Sequence, residues 1–123
     1  MYNKNRQKEL TTTKKLNQKK EGKEKMKKCS FYTRKTKAGI KGGIVERVNG
    51  WTDGTYNYYK NGDLWFCIVP DIGISCAQAN SRKEVAEMGH SANTVSYLAE
   101  TMDRDGEKLR KKFNSLIQAA ENN

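Results

Sequence analysis

The most reactive side chains in the sequence belong to three cysteines and a single histidine. Cys29, Cys67 and Cys76 form no Cys-x-x-Cys pair, and His90 is the only histidine of the chain. A structural zinc ion takes nitrogen and sulfur ligands in closely spaced pairs, so this spacing predicts no metal site. We interpret the cysteines as reduced thiols of a cytoplasmic protein, two of them buried in strands as small apolar residues.

Catalysis by a side-chain nucleophile requires a base and a group that orients the base. The sequence contains no Gly-x-Ser-x-Gly elbow, phosphate-binding loop, zinc-protease motif or dinucleotide-binding motif. Asp53, Asp63 and Asp71 lie in predicted turns, where aspartate is common for conformational reasons. We expect the glycine-rich residues 39–43 to link two strands, and His90 to lie exposed on a helix. The sequence therefore predicts no catalytic residue and no cofactor, and a protein that is not an enzyme.

Basic residues are concentrated at the N-terminus. Residues 1–28 contain eleven Lys or Arg and three Asp or Glu, whereas the remaining 95 residues contain thirteen and eleven. Because residues 1–28 have few apolar side chains to bury, we predict a disordered or partly helical basic arm. One domain then spans residues 29–123. Clustered lysines bind nucleic-acid phosphates without reading sequence, and the arm offers Lys14, Lys15, Lys19 and Lys20. The alternative is a solvated tail without a binding role.

Met26 is a second candidate for the first residue of the protein. Residues 20–25 can be encoded in purine-rich codons, which would resemble a bacterial ribosome-binding sequence just upstream of Met26. Under this hypothesis residues 1–25 are upstream sequence that is read through. The N-terminus lacks the apolar centre of a signal peptide, and no run of eighteen apolar residues occurs. We expect a cytoplasmic protein without membrane contact.

Glycine and asparagine divide the middle of the chain into predicted strands. We expect a mostly antiparallel sheet within residues 29–80, with strands near 29–35, 43–48, 55–60, 63–69 and 73–79. Asn61-Gly62 predicts a hairpin with a type I′ turn, and Asn49-Gly50 with Asp53-Gly54 predicts a second connection. The predicted fold class is α+β, with four to five strands followed by one long helix or two short helices.

The fourth predicted strand is apolar at every position from 64 to 69. Successive side chains of a strand point to opposite faces, so we expect this strand to be buried on both sides. One side can pack on a helix. The other needs a partner, a second copy or the N-terminal strands curling over it. The two predicted faces are Leu64, Phe66 and Ile68 on one side and Trp65, Cys67 and Val69 on the other.

Aromatic residues are frequent in and around this hairpin. Trp and Tyr are enriched among the residues that dominate the binding energy of protein interfaces, so they are candidates for contact with a partner. The alternative is cross-strand packing within a small sheet. The candidates are Trp51, Tyr56, Tyr58, Tyr59 and Trp65.

Residues 81–121 have the pattern of a helical segment. Ser81 and Glu84 form a capping box, and apolar or small residues then recur every three or four positions. Two structures fit, a hairpin that breaks within residues 103–106 or a single long helix. We favour the hairpin because Asp-Arg-Asp-Gly is rich in turn formers and Gly costs about 1 kcal/mol inside a helix. In either case we expect the C-terminal helical segment, or else the sheet, to mediate oligomerisation.

A second basic cluster lies on this helical segment. A solvated helix face is its simplest interpretation, and a patch for nucleic acid or an acidic partner is the alternative. The cluster consists of Arg104, Lys108, Arg110, Lys111 and Lys112.

One part of the sequence resembles the HicB antitoxin domain. Residues 70–73 (Pro-Asp-Ile-Gly) precede a short strand, residues 78–81 (Gln-Ala-Asn-Ser) end it, and residues 83–85 (Lys-Glu-Val) open a helix. The resemblance covers roughly residues 55–100. It implies a degenerate ribonuclease-H-like sheet and helix that masks a toxin instead of cutting RNA. The matching positions Pro70, Asp71, Gln78 and Glu84 would then be structural.

The sequence also departs from the HicB pattern. The usual second proline and Gly-Cys are replaced by residues 73–75 (Gly-Ile-Ser), and two extra strands precede the hairpin. About twenty residues follow the matched helix, too few for the helix-turn-helix that is frequent in the family. DNA-binding autoregulation is therefore not expected.

These observations favour a non-enzymatic binding protein that neutralises or modulates a partner protein, as an antitoxin does. Residues 63–103 carry six acidic and two basic side chains, which suits a basic toxin or the nucleic-acid channel of a nuclease. One alternative is an anti-defence protein of a phage or mobile element, such as an anti-CRISPR inhibitor of an RNA-guided nuclease. A second is a nucleic-acid-binding accessory protein that uses the basic arm. A third is a protein that holds a small nucleotide between subunits.

Overall fold

The predicted α+β class is confirmed by the computed structural model, which describes residues 26–122. The five strands neighbour one another in chain order in an antiparallel sheet. Strand β1 begins at Lys27, so Lys27 and Lys28 of the predicted basic arm lie in the sheet. Residues 1–25 of the arm lie outside the described residues. The strands are β1 (Lys27–Lys37), β2 (Ile40–Thr52), β3 (Asn57–Asn61), β4 (Leu64–Val69) and β5 (Ile74–Ala79), and the helices are α1 (Arg82–Gly89) and α2 (Ala92–Glu121).

Strand β4 has a hydrophobic core on each face, as its uninterrupted apolar sequence predicts. Its side chains alternate between the two cores because successive residues of a strand point in opposite directions. The α1-side core consists of Tyr56, Tyr58, Cys67, Val85 and Ala86. The β1-side core consists of Phe31, Tyr59 and Ile68.

Curling of the β1–β2 hairpin covers the second face of β4 within the chain. The edge strands β1 and β5 come into contact. The backbone N–H of Arg34 donates to the carbonyl of Gly73, at an N···O distance of 2.8 Å. The Thr33 hydroxyl donates to the same carbonyl. The sheet therefore approaches a closed barrel at this point.

Two predicted turns differ from the structure. Asn49-Gly50 lies inside β2, because β2 is longer than predicted. Any side chain at position 50 would collide with the neighbouring strand, since a Cβ there would lie 2.0 Å from the backbone carbonyl oxygen of Tyr58. The predicted β3–β4 hairpin is confirmed, but Asn61 pairs with Leu64, so Gly62 and Asp63 form the turn instead of Asn61 and Gly62.

The favoured helical hairpin at residues 103–106 is wrong. Helix α2 runs without interruption from Ala92 to Glu121, about 45 Å at 1.5 Å per residue. The break lies earlier, between α1 and α2, where Ser91 caps the second helix by accepting from the N–H of Thr94. Serine is a preferred N-cap residue. The predicted cap of α1 is confirmed, since the Ser81 hydroxyl accepts from the N–H of Glu84.

Helix α2 packs on the sheet through its C-terminal half. Phe113 is buried against Gly73 in the β4–β5 turn, and Leu116 faces the beginning of β2 across a shallow cleft. Within residues 26–122, neither helix is long and apolar enough to cross a lipid bilayer.

Candidate functional site

The five aromatic candidates divide into two groups in the structure. Tyr56, Tyr58 and Tyr59 are buried, because they fill the two cores of the sheet. Trp51 and Trp65 are only half-buried. A partner that leaves this fold intact can therefore touch the two tryptophans but not the tyrosine rings.

The two tryptophans form a cluster with the first residue of α1. Their ring centroids lie 5.5 Å apart, and the Arg82 guanidinium carbon lies 4.9 Å from the centroid of Trp51. Such a contact between a cation and an indole face is attractive. Arg82 could not be identified from the sequence, because its contact with Trp51 depends on how α1 packs on the sheet.

A second cluster joins the β2–β3 turn to the junction between the helices. The Asp53 carboxylate accepts from the N–H groups of Thr55 and Tyr56 through Oδ1. Its Oδ2 accepts from the Tyr58 hydroxyl at 2.5 Å and lies 2.8 Å from His90 Nε2. His90 is the C-cap residue of α1. Asp53 thus ties the start of α2 to the sheet.

Hydrogen bonds favour the ionised form of the Asp53 carboxylate. Burial raises the pKa of Asp53, but the donors from Tyr56, Tyr58, His90 and Thr55 outweigh burial and hold that pKa below its ordinary value. The same burial raises the pKa of Tyr56 to about 12. The phenol of Tyr56 donates to the carbonyl of Gly89 at 2.7 Å. This network therefore holds one ionised carboxylate among neutral phenols.

An Asp–His pair can also orient a catalytic base, which requires a nucleophile on the other imidazole nitrogen. The nearest hydroxyl in sequence, that of Ser91, donates to the carbonyl of Met88 and caps α2. Among residues 26–122, no three or more His, Cys, Asp or Glu side chains lie together as a metal site would need. The contact of His90 with Asp53 links the helix junction to the sheet.

The N-terminal half of α2 carries apolar residues that the sheet does not cover. Val95 lies on the same helical stripe as Met102 and Phe113, seven and eighteen positions further on. Phe113 is 5% exposed, whereas Val95 is 49% exposed. Met88, at the end of α1, is 44% exposed. The sequence pattern predicted one apolar stripe, which along α2 is buried at Phe113 but not at Val95.

Met88 lines a cleft that we call the α1–α2 cleft, and Val95 follows Thr94, another residue of its lining. It has a volume of about 510 Å³ and lies between the end of β5 and the two helices. The charged residues in its lining, Glu84 and Glu87, are both acidic and both exposed. The full lining is Ala79, Asn80, Glu84, Glu87, Met88, Ser91 and Thr94.

The predicted basic candidates lie apart from this cleft. Lys14, Lys15, Lys19 and Lys20 lie outside the described residues. The five basic residues of α2 are exposed, and three of them lie near carboxylates. The pairs are Arg104 with Asp105 at 3.0 Å, Arg110 with Asp71 at 3.8 Å and Lys111 with Glu107 at 3.8 Å. Lys108 and Lys112 complete the cluster.

Comparisons with protein-family models, with curated proteins and with solved structures found no match for this chain. Its function has therefore to be inferred from its own residues.

Proposed function

We propose that this protein is a cytoplasmic, non-enzymatic binding protein that neutralises or modulates a basic partner protein, and that it does so through the α1–α2 cleft. The observation that carries this proposal is the exposure of Met88, in the lining of the cleft, and of Val95, next to the lining residue Thr94, together with the exposed carboxylates of Glu84 and Glu87. The apolar stripe of α2 extends beyond the sheet. Burial of its exposed side chains by a partner is favourable because it removes apolar surface from water.

Charge supports a basic partner. Residues 63–103, which run from β4 into the first half of α2, carry six acidic and two basic side chains. Arg82, one of the two basic residues, is stacked on Trp51. Complementary charge speeds association and disfavours partners of the wrong sign. Glu84 and Glu87 would supply this charge at the cleft itself.

The neighbouring aromatic cluster would extend the same interface. Arg82 and Met88 lie at opposite ends of α1, six positions and about 9 Å apart along the helix axis. A standard interface buries roughly 800 Å² on each partner, which is wide enough to include both ends of α1. Trp51 and Trp65 then provide residue types that dominate binding energy.

The resemblance of residues 55–100 to the HicB antitoxin domain favours a toxin as the partner. The resembling segment includes β4, β5, α1 and the exposed first turns of α2. A nuclease of a defence system is the other partner of suitable charge, because its nucleic-acid channel is basic.

The test is capture of a partner by three variants of the full chain from nuclease-treated host lysate. Met88→Lys adds a positive charge in the cleft lining, and Val95→Lys adds one beside the lining residue Thr94. Each also removes an exposed apolar side chain. Ile40→Lys is the matched control, because Ile40 is 45% exposed and lies at the start of β2. All three change exposed side chains, so the fold should be unaffected.

We expect wild type and Ile40→Lys to retain one basic protein in stoichiometric amount. Met88→Lys and Val95→Lys should each retain much less of it. Each variant loses one apolar contact of about 1–2 kcal/mol, which weakens affinity roughly tenfold. Identification of the retained protein distinguishes toxin from nuclease. Equal retention by all variants, or retention of no protein by wild type, would contradict the proposal.

A second candidate function, nucleic-acid binding, is favoured by the charge of the β1–β2 hairpin. Residues 27–47 contain seven Lys or Arg and one acidic residue, Glu46, which is paired with Lys35. Arg34 donates to the carbonyl of Gly42, and the Lys112 ammonium also approaches Gly42. A surface of this kind contacts phosphates without reading base sequence.

Fluorescence anisotropy of a labelled oligonucleotide with the full chain tests this second candidate. Lys37 and Lys41 are exposed near the tip of the hairpin, and their replacement by Glu should weaken binding several-fold and flatten its salt dependence. Lys83→Glu is the control, since Lys83 lies on α1. Equal weakening by all three replacements would exclude the hairpin as the binding surface.

A further inference from the structure

A β-bulge in the β4–β5 pair brings two cysteines to the same face of the sheet. Cys67 pairs with Ala77, and the next residue, Ile68, pairs with Ser75. Cys76 is therefore the extra residue of β5, with no partner of its own on β4. In a regular strand Cys76 and Ala77 would point to opposite faces. Here both pack against the α1-side core, because a bulge re-aims one side chain.

The bulge brings the two sulfur atoms close together. The Sγ atoms of Cys67 and Cys76 lie 3.5 Å apart. A disulfide bond is about 2.05 Å long, so the two sulfur atoms need to approach each other by about 1.5 Å to form one. Cys67 is fully buried, whereas Cys76 is half-buried. The pair thus combines one partly exposed cysteine with one fully buried cysteine.

We propose that Cys67 and Cys76 form a redox-modification site, at which a low-molecular-weight disulfide such as oxidised glutathione converts the two thiols into an intramolecular disulfide. This site is independent of the proposed partner and of the α1–α2 cleft.

The reaction consists of two exchanges. In the first, the Cys76 thiolate attacks one sulfur of the oxidant, the oxidant's S–S bond breaks, and one small thiolate leaves. In the second, the Cys67 sulfur attacks Cys76 Sγ, its proton passes to the second small thiolate, and that group leaves as a thiol. The protein loses two electrons and two protons, and the oxidant becomes two thiols.

The environment of each sulfur fits its role. The neighbouring Cys67 thiol lowers the pKa of Cys76 by hydrogen bonding to its thiolate, and a thiolate is the attacking species in exchange. The same hydrogen bond and burial raise the pKa of Cys67. After the first exchange Cys76 carries a mixed disulfide and has no thiolate to accept a hydrogen bond from Cys67. The Cys67 proton then leaves more easily, which favours the second exchange.

Cys29 provides an internal control. It is half-buried and packs against the β1-side core, on the opposite face of the sheet. Burial raises the pKa of the Cys29 thiol. It therefore has neither the neighbouring thiol nor the lowered pKa of Cys76.

The test is peptide mapping of the full chain after incubation with glutathione at increasing ratios of oxidised to reduced form. Remaining thiols are alkylated before digestion. Trypsin releases residues 61–82 as one peptide that contains both Cys67 and Cys76, because no Lys or Arg lies between. A second cleavage before Asp71 separates the two cysteines unless a disulfide joins them.

We expect the peptide to lose two hydrogen atoms and both alkylation sites, and to stay joined after cleavage at Asp71 until a reductant is added. In Cys67→Ala, which removes the resolving thiol, Cys76 should instead retain one glutathione. Modification of Cys29 at ratios that leave Cys67 and Cys76 fully alkylated would overturn the proposal. So would a wild-type protein that stops at a mixed disulfide on Cys76.

Discussion

Replacement of Gly106 by alanine tests whether α2 is continuous. Gly106 lies in the middle of a 30-residue helix. Alanine is more favourable than glycine inside a helix by about 1 kcal/mol. A Cβ at position 106 would lie 3.5 Å from Arg110 Nη1 and 3.5 Å from Met102 Cε, which are ordinary contact distances. We therefore expect Gly106→Ala to increase the free energy of unfolding by about 1 kcal/mol.

Gly73→Ala is the matched control with the opposite expectation. Gly73 has φ of +69°, and a side chain in the left-handed region costs roughly 1–2 kcal/mol. A Cβ there would also lie 2.3 Å from the Phe113 ring, so the ring must move. We expect this variant to lose about 2 kcal/mol or more.

Urea unfolding monitored by far-UV circular dichroism measures both effects, and thermal unfolding provides a second measure. A change of about 1 kcal/mol moves the midpoint of a domain of this size by roughly 4–8 °C. If Gly106→Ala destabilises the protein, the helix is interrupted at Gly106 and the reasoning fails. The slope of the urea transition should remain unchanged, since neither variant alters the surface exposed on unfolding.

Three further predictions concern stability. Because the pKa of Asp53 is lowered in the folded state, its contribution is complete above an ordinary pKa near 4 and is lost as the pH falls through the folded value. Asp53→Asn should therefore lower stability at neutral pH and flatten the acid limb of a stability–pH profile; an unchanged acid limb would refute this. Ser91→Ala should lower the free energy of unfolding by about 1 kcal/mol through loss of the N-cap. Ser96→Ala, on the exposed surface of α2, should leave it unchanged in the same urea assay. Equal effects of the two variants would contradict the helix break at residue 91. Oxidation that joins Cys67 to Cys76 closes a loop of about ten residues and should add roughly 2–3 kcal/mol to the free energy of unfolding. The thermal midpoint of the oxidised protein should therefore fall when reductant is added. A midpoint that rises on reduction would mean that the disulfide strains the bulge.

The described domain has an uneven charge distribution that relates the two candidate functions. Residues 27–47 are strongly basic and form the β1–β2 hairpin, whereas residues 63–103 are acidic and include the α1–α2 cleft. Charges of opposite sign on different surfaces allow one partner of each sign to bind. The variants at Met88 and Lys41 address these two surfaces separately.

Local features of the fold were predictable from the sequence because their causes are local. A capping serine acts on an amide three residues away, as Ser81 does on Glu84. Side-chain alternation along a strand follows from backbone geometry, so both faces of β4 could be assigned. Gly106 does not interrupt α2 because helix propensity is a weak preference, and packing of Phe113 and Leu116 on the sheet stabilises the helix on the C-terminal side of the glycine.

The candidate site was less predictable because its parts are distant in sequence. Asp53 and His90 are 37 positions apart and meet only when α1 packs on the sheet. The tyrosines were correctly seen as an aromatic concentration, but sequence composition does not distinguish a buried ring from an exposed one. Burial depends on which strands curl over which, and this is a property of the whole sheet.

Residue order over a few positions, together with composition, was enough to predict the fold class, the β3–β4 hairpin, the two-sided burial of β4, the start of α1 and the separation of basic from acidic segments. The exposure of Val95 and the burial of Phe113 follow instead from three-dimensional packing, since the helix is longer than the sheet surface beneath it. Only the tertiary structure brought Cys67 to Cys76, because a bulge is a mismatch between two paired strands and cannot be read from either strand alone.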